Sequence, residues 1–318
     1  MSNLSTTVGI IGLGLIGGSM ALDLKRRGFA ARTLGVEKDP VAAQAALTIG
    51  LVDEVVSYED CVKQADIVVV AVPVGAAVKM VPDILDRFAG QAAERAEAFS
   101  GAFARTGSRS DAEEKASALP ADRGQIVIDV CSTKEQICNA TKYHPKRKQF
   151  VSTHPMAGTE YSGPWAAQPG LFDGRACIFA NAEESAPAAL KAIEQLYAVL
   201  NMRPIYLNAS QHDLHTAYVS HISHITSFAL ALTVLEKERD EKHIFDLASG
   251  GFSSTVRLAK SNADMWVPIL AQNHDNVLHV MDTYIEKMQE FREAIASYDE
   301  ARIRELIAQA NKIKRILR

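Results

Sequence analysis

The sequence predicts an α/β chain in two parts: a doubly wound, mostly parallel sheet over residues 1–208, then an all-α segment over 209–318. Three observations predict it. Short β-branched runs alternate with helix-period segments through the first half, the pattern of strands joined by crossover helices. The run "ADIVVVAVP" (65–73) is continuously apolar, as a central strand covered on both faces must be. After about residue 209 no strand pattern returns.

Taken in order, "TVGIIGLG" (7–14) reads as a strand and tight turn, "LIGGSMALDLKRRG" as a helix and "RTLGVEKD" (32–39) as a second strand. A helix is expected near 74–88, a strand at "QIVIDVCS" (125–132) and a helix from about 134. "QFVSTHP" (149–155) and "ACIFANA" (176–182) read as further strands, followed by a helix at 186–200 and a strand at "RPIYLN" (203–208). The Ala-, Ser- and charge-rich stretch 91–123 is expected to be a mobile excursion or a short extra helix without chemistry. Helices are then expected at 210–237, 241–249, 252–261, 264–293 and 298–317. Several are too apolar to stand alone, which favours burial against a second copy of the chain and hence a homodimer.

Composition excludes several function classes. With 47% hydrophobic and 23% charged residues the chain is globular. Lys plus Arg is 34 and Asp plus Glu is 38, so a net charge of -4 provides no field for nucleic acid. The start carries no basic n-region, so a cytoplasmic location without a signal peptide is expected. "AYVSHISHITSFALALTVL" (217–235) approaches membrane-spanning length but holds two histidines and several hydroxyls; it is expected as a helix buried in protein, with no membrane partner. Cys61, Cys131, Cys138 and Cys177 lack metal or redox spacing and are expected as buried thiols.

The chemistry starts at "GLGLIG", where Gly12, Gly14 and Gly17 have the G-x-G-x-x-G spacing between a strand and a helix. Gly12 suits the tight turn, Gly14 the approach of a pyrophosphate and Gly17 close helix–strand packing, while the N–H groups of Leu15 and Ile16 face the phosphates. Twenty residues past Gly17 stands Glu37, placed to bind ribose hydroxyls and repel a 2′-phosphate, which favours NAD over NADP. Val72 and Pro73, in the turn after the third long strand, suit either packing on the cofactor or a plain structural turn. The first part is therefore expected to be a Rossmann-type dinucleotide-binding domain.

Ser132 in "DVCSTK" and His154 in "STHPMAGTE" both follow strands of that domain, so both belong to the edge where the nicotinamide lies. His154 alone could be a catalyst or a capped strand end, since a histidine's near-neutral pKa suits both. Arg257 could bind a carboxylate or cover a solvated helix face. His221 and His224 share one face of an apolar helix as metal ligands, a core pair or substrate contacts; no third ligand is evident and no metal is expected.

Together with "GLGLIGGS", "SHISH" (220–224) and "GGFSSTVRLAKSNADMW" (250–266), these stretches resemble the prephenate and arogenate dehydrogenases, the TyrA family of tyrosine biosynthesis, over nearly the whole chain. The resemblance implies NAD-dependent oxidative decarboxylation of prephenate to 4-hydroxyphenylpyruvate. His154 matches the family's catalytic histidine and Ser132 the serine that holds the same substrate hydroxyl. Arg257 matches its substrate-binding arginine and His224 its side-chain contact, with Ser220 and His221 as lesser candidates. A helical substrate and dimerisation domain over 209–318 is implied as well. Ser253, Ser254 and Thr255 stand where some members carry an acidic residue, and neither a fused mutase nor a regulatory domain is expected within 318 residues. Other dehydrogenases with a nucleotide domain followed by helices, and a non-catalytic NAD sensor, are the competing readings.

Overall fold

The computed structural model describes residues 6–103, 124–238 and 244–315. Eight strands form one sheet: β1 (Thr7–Ile11), β2 (Arg32–Val36), β3 (Glu54–Val55), β4 (Ile67–Val70), β5 (Ile126–Asp129), β6 (Phe150–Pro155), β7 (Ala176–Ala180) and β8 (Arg203–Leu207). Their spatial order is β3-β2-β1-β4-β5-β6-β7-β8, with every neighbouring pair parallel except β6 and β7. The order reverses at β1, which lies between β2 and β4, and the carboxyl edge beside that reversal is where such sheets bind ligands.

Helices α1 (Leu15–Arg26), α2 (Pro40–Ile49), α3 (Tyr58–Gln64), α4 (Val74–Phe103), α5 (Glu135–Thr141) and α6 (Pro187–Val199) cover the sheet. Each face has its own apolar core: Met20, Leu24, Phe172, Phe179 and Tyr197 on one side, Val62, Ile84, Leu85, Phe88 and Ile137 on the other. Side chains of this size contribute roughly 1.5–3 kcal/mol each on full burial. All four β4 residues are buried, which is why their run shows no polar alternation. The expected buried thiols are free cysteines, all buried.

Helices α7 (Ala209–Thr216), α8 (Ile222–Glu238), α9 (Gly250–Thr255), α10 (Ala263–Gln272), α11 (His274–Ala296) and α12 (Glu300–Ala310) follow. A capping box fixes the start of α7: Asn208 accepts from the Gln211 N–H at 2.7 Å and the Gln211 side chain returns to Asn208. Between α7 and α8, Ala217–His221 form a wider π-helical turn, a feature that collects at functional sites. Trp266 and Ile269 of α10 join the core on one face of the sheet, so the helical part is anchored to the first part.

The structure departs from the expected elements in specific places. The helix expected to end near 88 continues to Phe103, while the rest of the 91–123 stretch lies outside the described residues from 104 on. The helix expected over 264–293 is two helices, broken at Asn273, whose buried amide turns inward to donate to the Asp213 carbonyl at 2.7 Å. The one expected over 252–261 is short α9 followed by a tighter turn at Arg257–Lys260. Residues 241–243 of the next expected helix lie outside the described residues, and Phe245–Leu247 is a single tight turn.

The apolar helix expected to be buried is not buried by its own chain. The continuous stretch Ala209–Glu238 is long and apolar enough to cross a membrane by length and composition. Its residues Val219 and Leu232 are each 67% exposed, and Leu278, Ile285 and Met288 on α11 are exposed as well.

Candidate active site

The glycine loop after β1 has the geometry its spacing predicts. Gly12 has φ +95°, and a Cβ there would fall 2.4 Å from the Ala71 carbonyl oxygen. At Gly17 a Cβ would fall 2.0 Å from the Gly12 carbonyl oxygen, so only glycine lets α1 lie this close to the strand. At Gly14, by contrast, a Cβ would meet nothing within 4 Å: this position faces open space. Gly14 caps α1 without a side-chain bond, and no acidic residue occupies the first turn at Leu15 and Ile16. Free N–H groups, a positive helix end and an open approach fit a pyrophosphate.

Glu37 lies just past β2, where its carboxylate accepts from the Leu13 N–H at 3.0 Å and the Lys38 N–H at 2.9 Å. These bonds fix the carboxylate beside the glycine loop; Oε1 also accepts from the Asp39 N–H at 3.2 Å, and Oε2 keeps a lone pair for a ribose hydroxyl. Val72, half-buried, and Pro73, exposed, follow β4 at the same edge.

The sheet register places the reactive residues. Ile11, Val70, Asp129 and Ser152 align across β1, β4, β5 and β6. Ser132 and His154 therefore lie three and two residues beyond one line, at the edge shared with the glycine loop.

His154 Nδ1 lies 2.8 Å from His212 Nε2, and His212 Nδ1 lies 2.7 Å from Asp213 Oδ1. Asp213 also accepts the Lys134 N–H at 2.7 Å and the Glu135 N–H at 2.9 Å. Burial pushes its carboxyl up, against the pull of those two donors. Burial also depresses both histidines, His154 well below the ordinary value and His212 to about 2, so both rings are neutral at neutral pH.

These constraints assign the protons. Asp213, a carboxylate anchored by two backbone donors, accepts from His212 Nδ1–H. A neutral His212 then has a bare Nε2, which accepts from His154 Nδ1–H. His154 is left with an unprotonated Nε2, a proton acceptor oriented from behind.

The helical half supplies the opposite side. His224 Nδ1 donates to the Ser220 carbonyl at 3.0 Å, which leaves its Nε2 as the acceptor nitrogen. Its ring stacks on Trp266 at 3.6 Å between centroids, and His221 meets the same indole edge-on at 5.8 Å. His221 is buried, with Nδ1 accepting from the Asn273 amide at 3.1 Å. Burial first, then the Arg257 charge, depress His224 against the pull of its bond to the Ser220 carbonyl. Arg257 Nη1 lies 3.0 Å from Glu160 Oε2, its side chain half exposed. Glu160 sits in the loop leaving β6, six residues past His154, so one loop links the imidazole to the guanidinium.

Four participants escaped the sequence reading. His212, which no motif singles out, is fully buried inside the proton chain. Asp213 ends that chain, Glu160 pairs with the arginine, and Trp266 is buried with an indole N–H that has no partner among the described residues. The His212–Asp213 step directly after a helix cap was the one available signal; pairing with His154 is visible only in three dimensions.

Comparison with known proteins identifies the family of the chain. Residues 20–89 and 112–206 match the family model "Prephenate dehydrogenase, nucleotide-binding domain", and residues 208–309 match "Prephenate dehydrogenase, dimerization domain". A prephenate dehydrogenase of Bacillus subtilis is 29% identical over 94% of this chain and 72% of its own length. A cyclohexadienyl dehydrogenase of Zymomonas mobilis is 26% identical over 98% of this chain and 96% of its own. The crystal structure of prephenate dehydrogenase from A. aeolicus, in complex with hydroxyphenyl propionate and NAD+, superposes with a TM-score of 0.75 at 25% identity, covering 98% of this chain and 97% of that one.

Proposed function

The chain belongs to the prephenate dehydrogenase family, and from that premise we propose that it is an NAD-dependent prephenate dehydrogenase of tyrosine biosynthesis, acting as a cytoplasmic homodimer. The observation that carries the mechanism is the tautomer chain Asp213–His212–His154, which leaves His154 Nε2 bare. NAD supplies the hydride acceptor when bound, held by Gly12, Gly14, Leu15, Ile16, Gly17, Glu37, Val72 and Pro73.

As the hydride leaves the ring carbon that bears the 4-hydroxyl, carbonyl character grows on that oxygen and its proton becomes acidic. His154 Nε2 takes this proton, with Ser132 holding the same hydroxyl. A positioned base contributes roughly 100- to 10,000-fold in rate. The ring carboxylate departs as carbon dioxide, the bonding pair it leaves aromatises the ring, and the resulting phenolate oxygen takes the proton back from His154 to give 4-hydroxyphenylpyruvate. Arg257 binds the side-chain carboxylate, because a guanidinium on the departing carboxylate would oppose its loss. His224 contacts the side chain, oriented by the Ser220 carbonyl and stacked on Trp266, while buried His221 supports the pair. The division between the cofactor half and the helical half falls at residue 208, and the exposed stripes of α8 and α11 form the dimer face.

Prephenate is favoured over arogenate by the unpartnered Trp266 N–H. An indole donor beside the side-chain contact suits a keto oxygen, whereas the ammonium of arogenate offers no lone pair. The test is turnover of purified protein with NAD and each substrate, followed by the absorbance of reduced cofactor. A higher kcat/KM on prephenate is expected. No turnover with either substrate, or a preference for arogenate, would overturn the respective part of the reading.

A further inference from the structure

Fully buried lysines are rare, because desolvating an ammonium costs several kcal/mol even when it is paired. Lys134 is such a residue, with no side-chain exposure at all. Its ammonium bonds the equally buried Asp129 carboxylate and donates to the Thr153 carbonyl at 2.6 Å. Thr153 immediately precedes His154. The backbone N–H of Lys134 donates at 2.7 Å to Asp213 Oδ1. Asp129 extends the grip: it accepts from Ser152 Oγ at 2.9 Å, from the Thr153 N–H at 3.3 Å and from the Cys131 N–H at 3.0 Å, beside Ser132.

We propose that Lys134, with Asp129 as its counter-ion, is a positioning residue that holds both ends of the His154–His212–Asp213 chain and sets the place of Ser132. This rests on the mechanism proposed above. Stability alone does not account for the pair, since replacing a buried ion pair with apolar side chains is often neutral or stabilising. Its contacts do: apart from the bond to Ser152, each goes to the backbone or side chain of a residue in, or next to, the proposed catalytic set. Burial lowers the ammonium's pKa, but the Asp129 carboxylate more than compensates and keeps it charged.

The charged and titratable groups acting on His154 are His212 from α7, itself bonded to Asp213, His221 from the π-helical turn, and Lys134 from the segment after β5, paired with Asp129. Lys134 is the one fixed cation among them, and it opposes protonation of His154.

Two variants test the proposal, Lys134→Met and the charge-neutral double variant Lys134→Met/Asp129→Asn. In the double variant, kcat for prephenate is expected to fall about 100-fold, the loss typical of a misplacement near 1 Å, with the NAD Kd and the KM for prephenate unchanged. In Lys134→Met, the acid limb of the kcat profile is expected at higher pH than in the wild type. Imidazole nitrogen-15 shifts give a reading independent of turnover: the wild type should show His154 and His212 each as a single Nδ1–H tautomer, and the double variant a mixture. If the wild type fails to turn over prephenate, the substrate assignment fails while the shifts still decide the role of Lys134. A double variant that does not fold, that retains wild-type kcat and tautomers, or that loses NAD and prephenate binding together would reduce the pair to a core contact and overturn the proposal.

Discussion

At the scale of single residues, the account depends on which nitrogen of His154 is bare. Asp213 decides this from two residues away, because a carboxylate can only accept from His212 Nδ1 at 2.7 Å. Asp213→Asn keeps the shape but can donate, which would place the proton of His154 on Nε2. We expect kcat to fall between about 100- and 10,000-fold with substrate binding retained, the pattern of a triad aspartate replaced by asparagine. Steady-state kinetics check it, and an undiminished kcat would mean that His154 is oriented by something else. The sequence displayed His154, Ser132 and Arg257 because each sits in a distinctive local stretch. It hid His212 because a histidine on a helix gives no sign of facing another strand. Glu160 was likewise hidden: its partner Arg257 is 97 positions away.

Individual elements carry a second set of consequences, most sharply at the start of α1. Gly17 and Gly14 look alike in the sequence, but a Cβ at Gly17 collides with backbone at 2.0 Å while one at Gly14 meets only open space. Gly17→Ala should therefore destabilise the fold, by about 1–3 kcal/mol if the overpacking is of ordinary severity. Gly14→Ala should melt like the wild type and bind NAD roughly tenfold more weakly, about 1.4 kcal/mol. Thermal melts with NAD titrations separate the two, and equal effects at both positions would contradict the cradle. The same helix holds the loop from β6 to β7: Ser19 Oγ accepts from Gln168 N–H, Asp23 from Gly170 N–H, and Arg27 pairs with Asp173. The inner strands were legible from apolar runs because β1, β2, β4, β5, β6 and β7 are buried on both faces, whereas edge strand β8 is exposed. Helix ends were less so: the break at Asn273 depends on a side chain turning into the core, and Pro268, the visible breaker, lies inside α10.

For the whole molecule, stability and catalysis share the same buried histidines. His212 is held at about 2 and His221 at about 4, against an ordinary 6.5, by burial in both cases. Below pH 6.5 the unfolded chain takes up protons that the folded chain refuses, so this stability is complete above 6.5 and is lost as the pH falls. Each of these two groups costs about 1.4 kcal/mol per pH unit, His221 down to about pH 4 and His212 beyond it, with buried His154 acting in the same direction. Urea unfolding at pH 7 and at about pH 5 should show the loss; equal midpoints would contradict the burial of neutral rings. The two-part architecture was legible because the hydrophobic period changes once, near residue 209. What covers the apolar face of α8 was not legible from one chain's burial pattern. The most direct test of the account as a whole is saturating turnover of prephenate by wild type and His154→Asn, measured alongside the Kd for NAD. The account predicts a loss of kcat of at least about 100-fold with NAD binding intact. Equal turnover in the two proteins would contradict it.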